Sequence, residues 1–177
     1  EWVLVWGAGS GIGSSAVVIA RALGAHVVAT SSSDAKVELV RGLGADVVVN
    51  HTTGDVVAAV KEATGGPGVH VVVEHVGEAT WERSLQAVRP HGRITVCGAT
   101  TGPNPKAALH RVWWKQLTIL GSTMGTKEDF EGAFELVKSG KAKPVVDSVF
   151  PLSEARAAHE RLETGEHFGK VVLSIPA

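Results

Sequence analysis

Short valine-rich runs recur along this chain, and a longer segment of helical periodicity follows most of them. They fall at residues 2–6 (WVLVW), 26–29, 46–49, 69–73, 93–96 and 117–120, with later runs at 145–150 and 170–175. Several are apolar throughout rather than at alternate positions. A strand of that kind is buried on both faces. Strands alternating with helices at this spacing imply right-handed crossovers and parallel pairing. The pattern predicts an α/β fold: a doubly wound parallel sheet of six core strands with helices on both faces.

The intervening segments carry helix signals. Residues 14–23 and 55–63 read as helices, and 78–88 places Trp81, Leu85 and Val88 on one face. Ser33 is placed to cap a helix bearing Val37, Val40 and Leu43. Thr126 and Asp129 form a capping pair for a helix ending near Ser139. A further helix, capped by Ser153, is expected between the two late strands. Gly65-Gly66-Pro67-Gly68 reads as a turn.

At 177 residues the chain is long enough for one domain with a full core. Lys and Arg total 17 against 18 Asp and Glu, a net charge of -1. That balance supplies no basic field for a nucleic-acid backbone, so no nucleic-acid partner is expected. Cys97 is the one cysteine, which excludes an internal disulfide and a multi-cysteine zinc site, and fits a cytoplasmic setting. No apolar run approaches the ~18 residues of a membrane span. The chain begins at Glu1 almost within a strand, and a fragment or processed chain is expected.

The segment Gly7-Ala8-Gly9-Ser10-Gly11-Ile12-Gly13 follows a strand and opens a helix. Glycines let a backbone turn sharply and come close to a pyrophosphate, and the helix start offers free N–H groups. The helix dipole adds only ~0.3–2 kcal/mol, so it orients a dinucleotide rather than binding it alone. The alternative is a tight turn without a ligand. The spacing of Gly7, Gly11 and Gly13 is similar to that of short-chain dehydrogenases. Their chemistry rests on a tyrosine proton donor, and this chain has no tyrosine.

Together with this loop, Leu43-Gly44-Ala45-Asp46, Gly92-Arg93-Ile94, Leu120-Gly121-Ser122-Thr123-Met124 and Phe168-Gly169-Lys170-Val171-Val172 resemble the medium-chain dehydrogenase/reductases in order and spacing. That family includes zinc alcohol dehydrogenases and zinc-free quinone oxidoreductases. Ser10 departs from a frequent glycine, and Glu74-His75 from a frequent Asp-containing pair. The resemblance implies a nicotinamide dinucleotide-binding Rossmann domain over 1–177, including the C-terminal strand. The catalytic GroES-like domain, which carries any zinc ligands and much of the substrate pocket, would precede it and is not in this sequence. The implied function is hydride transfer between the nicotinamide and an alcohol, carbonyl, quinone or enone. The alternatives are a non-catalytic dinucleotide-binding module acting as sensor or scaffold, and an empty Rossmann fold.

The resemblance places the cofactor against Gly9, Ser10, Gly11, Ile12 and Gly13, with His51 near the adenosine and Lys170 near the cleft. Val76, Gly98, Ala99, Thr100, Ser122, Thr123 and Met124 follow later strands and would border the nicotinamide end. The position of the usual ribose-binding carboxylate falls on Ser31. Ser31, Ser32 and Lys36 suit a 2′-phosphate, which favours NADP(H); the alternative is that the serines only start the next helix and Asp34 turns towards the ribose, as NAD would need. His75 is expected to be structural and Cys97 a small buried hydrophobe. Residues 111–115 (RVWWK) predict a short amphipathic helix packing two tryptophans. Homodimerisation through a sheet edge is expected, with residues 145–150 as the candidate strand. The purified 177-residue chain should bind cofactor yet leave NADPH unoxidised in the presence of quinones, enones or aldehydes. Enzyme-like turnover in a spectrophotometric assay would contradict this.

Overall fold

The computed structural model describes residues 1–176; Ala177, the last residue of the expected domain, lies outside them. Strand β1 (Trp2–Val5) pairs in parallel with β2 (His26–Ser31) on one side and β4 (Val69–Glu74) on the other. Strand β3 (Val47–Asn50) continues the sheet beyond β2, while β5 (Val88–Val96) and β6 (Thr118–Gly121) continue it beyond β4. The order is β3-β2-β1-β4-β5-β6, with every pair parallel. The strand order therefore reverses between β1 and β4. A ligand crevice belongs at such a reversal, outside the carboxyl ends of the strands.

Helix α1 (Gly11–Ala22) and α2 (Asp34–Gly42) cover one face; α3 (Val56–Thr64) and α4 (Trp81–Ala87) cover the other. Period-two alternation in β1 divides the core between them. Leu4 and the adjoining Trp6 join Val28, Val56, Val60, Leu85 and Ile94, whereas Val3 and Val5 join Val17, Val27, Ala29 and Val40. Burying each such aliphatic side chain contributes ~1.5–3 kcal/mol. The valine-rich strands are two-sided because each face has its own helical cover.

Boundaries differ from the sequence expectation where side chains intervene. Ser10 caps α1 by accepting from the Gly13 N–H, so the helix starts at Gly11 rather than residue 14. Strand β5 begins at Val88, which pairs with Val69 before a register shift. The segment expected to begin at Ser153 is a 3-10 turn over Leu152–Glu154; helix α7 (Ala155–Glu163) follows without a side-chain cap. Helix α5 (Leu109–Trp114) forms as expected, but Trp113 and Trp114 are 66% and 76% exposed and pack edge-to-face on each other. Only Val112 of that helix packs against the core.

Helix α6 (Lys127–Lys138) carries the expected capping box between Thr126 and Asp129. Strand β7 (Val146–Pro151) is not an edge of the main sheet, because it pairs with β8 (Lys170–Ser174) in a separate two-stranded parallel sheet. Among the described residues, no helix is long and apolar enough to cross a membrane.

Asp147 ties this second unit together. It accepts two hydrogen bonds from Arg161, at 2.9 and 3.0 Å, and one each from Ser148 and the Phe168 N–H, both at 2.9 Å. These bonds, those of Arg161 first, hold its carboxyl far below the usual value of 3.8. The folded pKa is depressed, so this stabilisation is complete above the unfolded pKa and is lost as the pH falls towards the folded one. Acid unfolding followed by circular dichroism should therefore show less loss of stability below pH ~4 in Asp147→Asn than in the unmodified chain. Equal acid sensitivity would refute the role given to this carboxylate.

Candidate functional site

Helix α1 starts hard against the turn that precedes it. A Cβ on Gly13 would collide with the Gly7 carbonyl and the Ala8 backbone. Glycine permits this approach, and Gly7 itself has φ +54°. The turn is pinned to β2 by two bonds: Thr30 Oγ1 accepts from the Gly7 N–H at 3.0 Å, and the Thr30 carbonyl from the Ala8 N–H at 2.8 Å. Gly11 and Ile12 thus head the helix with N–H groups that no helical carbonyl reaches. Lys170 extends across this start, since its side chain occupies the space a Cβ on Gly11 would need.

Beside the turn lies a cleft of about 190 Å³. Gly7, Gly9 and Ser10 form one wall, and Ser31, Ser32, Lys36 and His51 a second. These side chains come from the carboxyl ends of β2 and β3 and the first turn of α2, in the crevice the topology creates. Ser31 is only 2% exposed, and its hydroxyl has no hydrogen-bond partner. His51 Nδ1 is likewise buried without one. Burial, and secondarily Arg83, pushes the His51 pKa down. Leaving a buried polar group unpaired costs ~1–3 kcal/mol. Both residues belong to the lining of the crevice, where a polar ligand can supply the missing partner.

Among the described residues, no carboxylate lines the cleft. Asp34, the residue required for an NAD ribose contact, instead accepts from Asn50 Nδ2 at 2.8 Å. Lys36 Nζ donates to the Gly165 carbonyl at 2.6 Å, which leaves two of its three protons uncommitted.

The remaining predicted residues sit at the ends of β4, β5 and β6 and do not line this cleft. The Thr101 N–H donates to the Val76 carbonyl at 2.8 Å, and a Cβ on Gly98 would press on the His75 carbonyl at 3.1 Å. Gly98, Ala99 and Thr100 thus form a turn packed over the end of β4. The Ser122 N–H donates to the Val96 carbonyl at 2.9 Å; Ser122, Thr123 and Met124 are exposed, Met124 with φ +56°.

His75 is structural, as expected: it is buried and its Nε2 donates to the Trp6 carbonyl at 2.8 Å. Cys97 is half-buried rather than fully enclosed, and burial raises its thiol pKa. Sequence reasoning missed the role of Glu74. Its fully buried carboxyl accepts from the Val76 and Gly77 N–H groups and from the hydroxyls of Thr80 and Ser84, at 2.6–3.1 Å. Trp6 Nε1 donates to Ser84, so one network joins the residue after β1 to β4 and α4. Gly165 and His167, which also line the cleft, were missed too. The signal lay beside them, in the Phe168-Gly169-Lys170 segment.

A family model described as zinc-binding dehydrogenase matches residues 11–139. The chain belongs to that family. It is 34% identical over 188 residues to a 2-haloacrylate reductase of Burkholderia sp, covering 98% of this chain and 55% of that one. An NAD-dependent alcohol dehydrogenase of known structure superposes with a TM-score of 0.92 at 41% identity, over 99% of this chain and 51% of that one. A 2-octenoyl-CoA carboxylase reductase in complex with NADP and 2-octenoyl-CoA gives 0.89 at 31%, over 98% and 43%. The chain spans about half the length of the dehydrogenases and reductases it matches. Among the described residues, no group of three or more His, Cys, Asp or Glu could hold a metal ion. Replacing Gly13 with Ala should lower stability by about 1–3 kcal/mol, because the added methyl meets backbone rather than a flexible side chain. Thermal unfolding checks this; an unchanged midpoint would show that the turn can yield.

Proposed function

We propose that the chain is the NADP(H)-binding domain of an oxidoreductase that transfers hydride between the nicotinamide and an alcohol, carbonyl, quinone or enone. The observation that carries this is a cleft beside the glycine turn with an unpaired buried Ser31 hydroxyl, a lysine and no carboxylate in its walls. A carboxylate at contact distance from a 2′-phosphate would oppose it by up to ~4 kcal/mol at a surface-like dielectric. Its absence, with Asp34 engaged by Asn50, favours NADP(H) over NAD.

When bound, the nicotinamide supplies or accepts the hydride. The chain's own residues bind and orient. Gly9, Ser10, Gly11, Ile12 and Gly13 present backbone to the pyrophosphate, and Lys170 adds a cation at the same helix start. Ser31, Ser32 and Lys36 take the 2′-phosphate, with His51 at the adenosine. Val76, Gly98, Ala99, Thr100, Ser122, Thr123 and Met124 border the nicotinamide end through backbone contacts. No residue of this chain is assigned as catalytic, and substrate contacts and any zinc belong to a preceding domain.

Homodimerisation is proposed through the edge of the six-stranded sheet at β6, where Ile119 and Leu120 are exposed. A free Cys97 fits a cytoplasmic setting. The second reading, a dinucleotide-binding module without chemistry, rests on the same cleft and on the absence of an assigned catalytic residue.

Titrating the chain with NADPH and NADH, followed by tryptophan quenching, tests the cofactor reading. Trp6 lies edge-on to His51, with ring centroids 6.4 Å apart, and reports on the cleft. NADPH should bind at least tenfold more tightly, about 1.4 kcal/mol, and Lys36→Ala should erase most of that margin while leaving NADH unchanged. Equal affinities or a preference for NADH would overturn the assignment.

A further inference from the structure

The third wall of the cleft comes from the opposite end of the chain. Gly165 and His167 line it, although the residues they face belong to the first third of the sequence. The loop that carries them is fastened to the glycine turn at several points. The Gly169 N–H donates to the Gly9 carbonyl at 2.9 Å, and Lys36 bridges to the Gly165 carbonyl. A Cβ on Gly9 would meet the Phe168 ring at 3.5 Å, so that ring already packs on the turn. From behind, Asp147 holds the Phe168 N–H. His167 is therefore set between two anchored neighbours.

Four buried side-chain polar atoms among the described residues have no partner: Ser31 Oγ, His51 Nδ1, His167 Nδ1 and Trp81 Nε1. The first three belong to residues lining this one cleft; Trp81 lines a different one. Each is a buried polar atom left unpaired, and three among the residues lining one small cleft make a set that a polyanionic group can satisfy. The neighbouring carboxylate, Glu166, is 80% exposed at its side chain and lies 3.8 Å from Arg161, so it does not cancel the Lys36 charge in the cleft.

We infer that His167 is a specificity-determining residue: its Nδ1 donates to the 2′-phosphate of NADP(H) opposite Ser31 and Lys36. The 2′-phosphate is thereby clamped between the end of β2 and the loop before β8. This rests on the NADP(H) reading given above.

The test uses two nicotinamide-free probes, 2′,5′-ADP and 5′-AMP, titrated by calorimetry into the unmodified chain, His167→Ala and His167→Asn. The unmodified chain should prefer 2′,5′-ADP. His167→Ala should weaken 2′,5′-ADP about tenfold and leave 5′-AMP within twofold. His167→Asn places an amide N–H near the position of Nδ1 and should recover most of the loss, and it keeps the test decisive if the alanine variant folds poorly. Equal weakening of both probes would assign His167 a merely structural part, and undiminished 2′,5′-ADP binding would remove it from the clamp. If the unmodified chain fails to prefer 2′,5′-ADP, the NADP(H) reading itself falls. If it prefers 2′,5′-ADP and His167→Ala does not alter that preference, only the inference falls.

Discussion

The contact between Gly13 and the Gly7 carbonyl governs the geometry of the whole crevice. It allows α1 to begin directly on the turn after β1, with no side chain between helix and backbone. The same turn leans sideways on Thr30, which offers both its hydroxyl and its carbonyl. Thr30 is followed at once by Ser31, so the strand that holds the turn also presents the buried hydroxyl of the neighbouring cleft. The glycine turn and the Ser31 wall of the cleft are one mechanical unit. A shift of α1 by the width of a methyl group would move both.

A second buried constraint fixes the other side of the strand-order reversal. Glu74 ends β4 with its carboxyl directed into its own following turn and into α4, where N–H and hydroxyl donors satisfy it. Leaving such donors unpaired costs ~1–3 kcal/mol each, so the network holds the Val76-Gly77 turn in one conformation. Gly77, with φ +92°, allows the Gly102 carbonyl to come close, and the loop after β5 docks there. The end of the crevice assigned to the nicotinamide is thus shaped by a carboxyl that does not face it.

Most of the fold was legible because valine-rich strands and helical segments alternate, and that pattern depends on local burial. The six core strands and their helical layers follow from it. The glycine turn was equally legible, since only glycine tolerates the approach at position 13. What escaped depends on long-range pairing. Nothing in residues 145–150 distinguishes an edge of the main sheet from a strand that pairs only with β8. Ser153 has the composition of a cap, but Pro151 and the 3-10 turn after it move the helix start to Ala155. The short helix carrying Trp113 and Trp114 was legible as amphipathic, but the two rings are exposed and pack on each other rather than on the core.

The cleft shows the same division more sharply. Ser31, Ser32 and Lys36 were legible because they stand where a strand-two carboxylate would be, a position fixed by short-range spacing. His167 was not, because its place depends on the β7-α7-β8 unit folding back across the first third of the chain. That return is held by the bonds of Lys36 to Gly165 and Gly169 to Gly9, with Phe168 packed against the α1-α2 side of the core. Hydrogen bonds of this kind contribute only about 0.5–1.5 kcal/mol each when neutral, and roughly twice that when charge-assisted. They set direction more than they set stability. The consequence is a cleft whose first two walls stand on the main sheet and its helices and whose third is oriented by a few directional bonds, one of them made by Lys36 itself. Lys36 thus belongs to one wall of the cleft and at the same time tethers the loop that forms another.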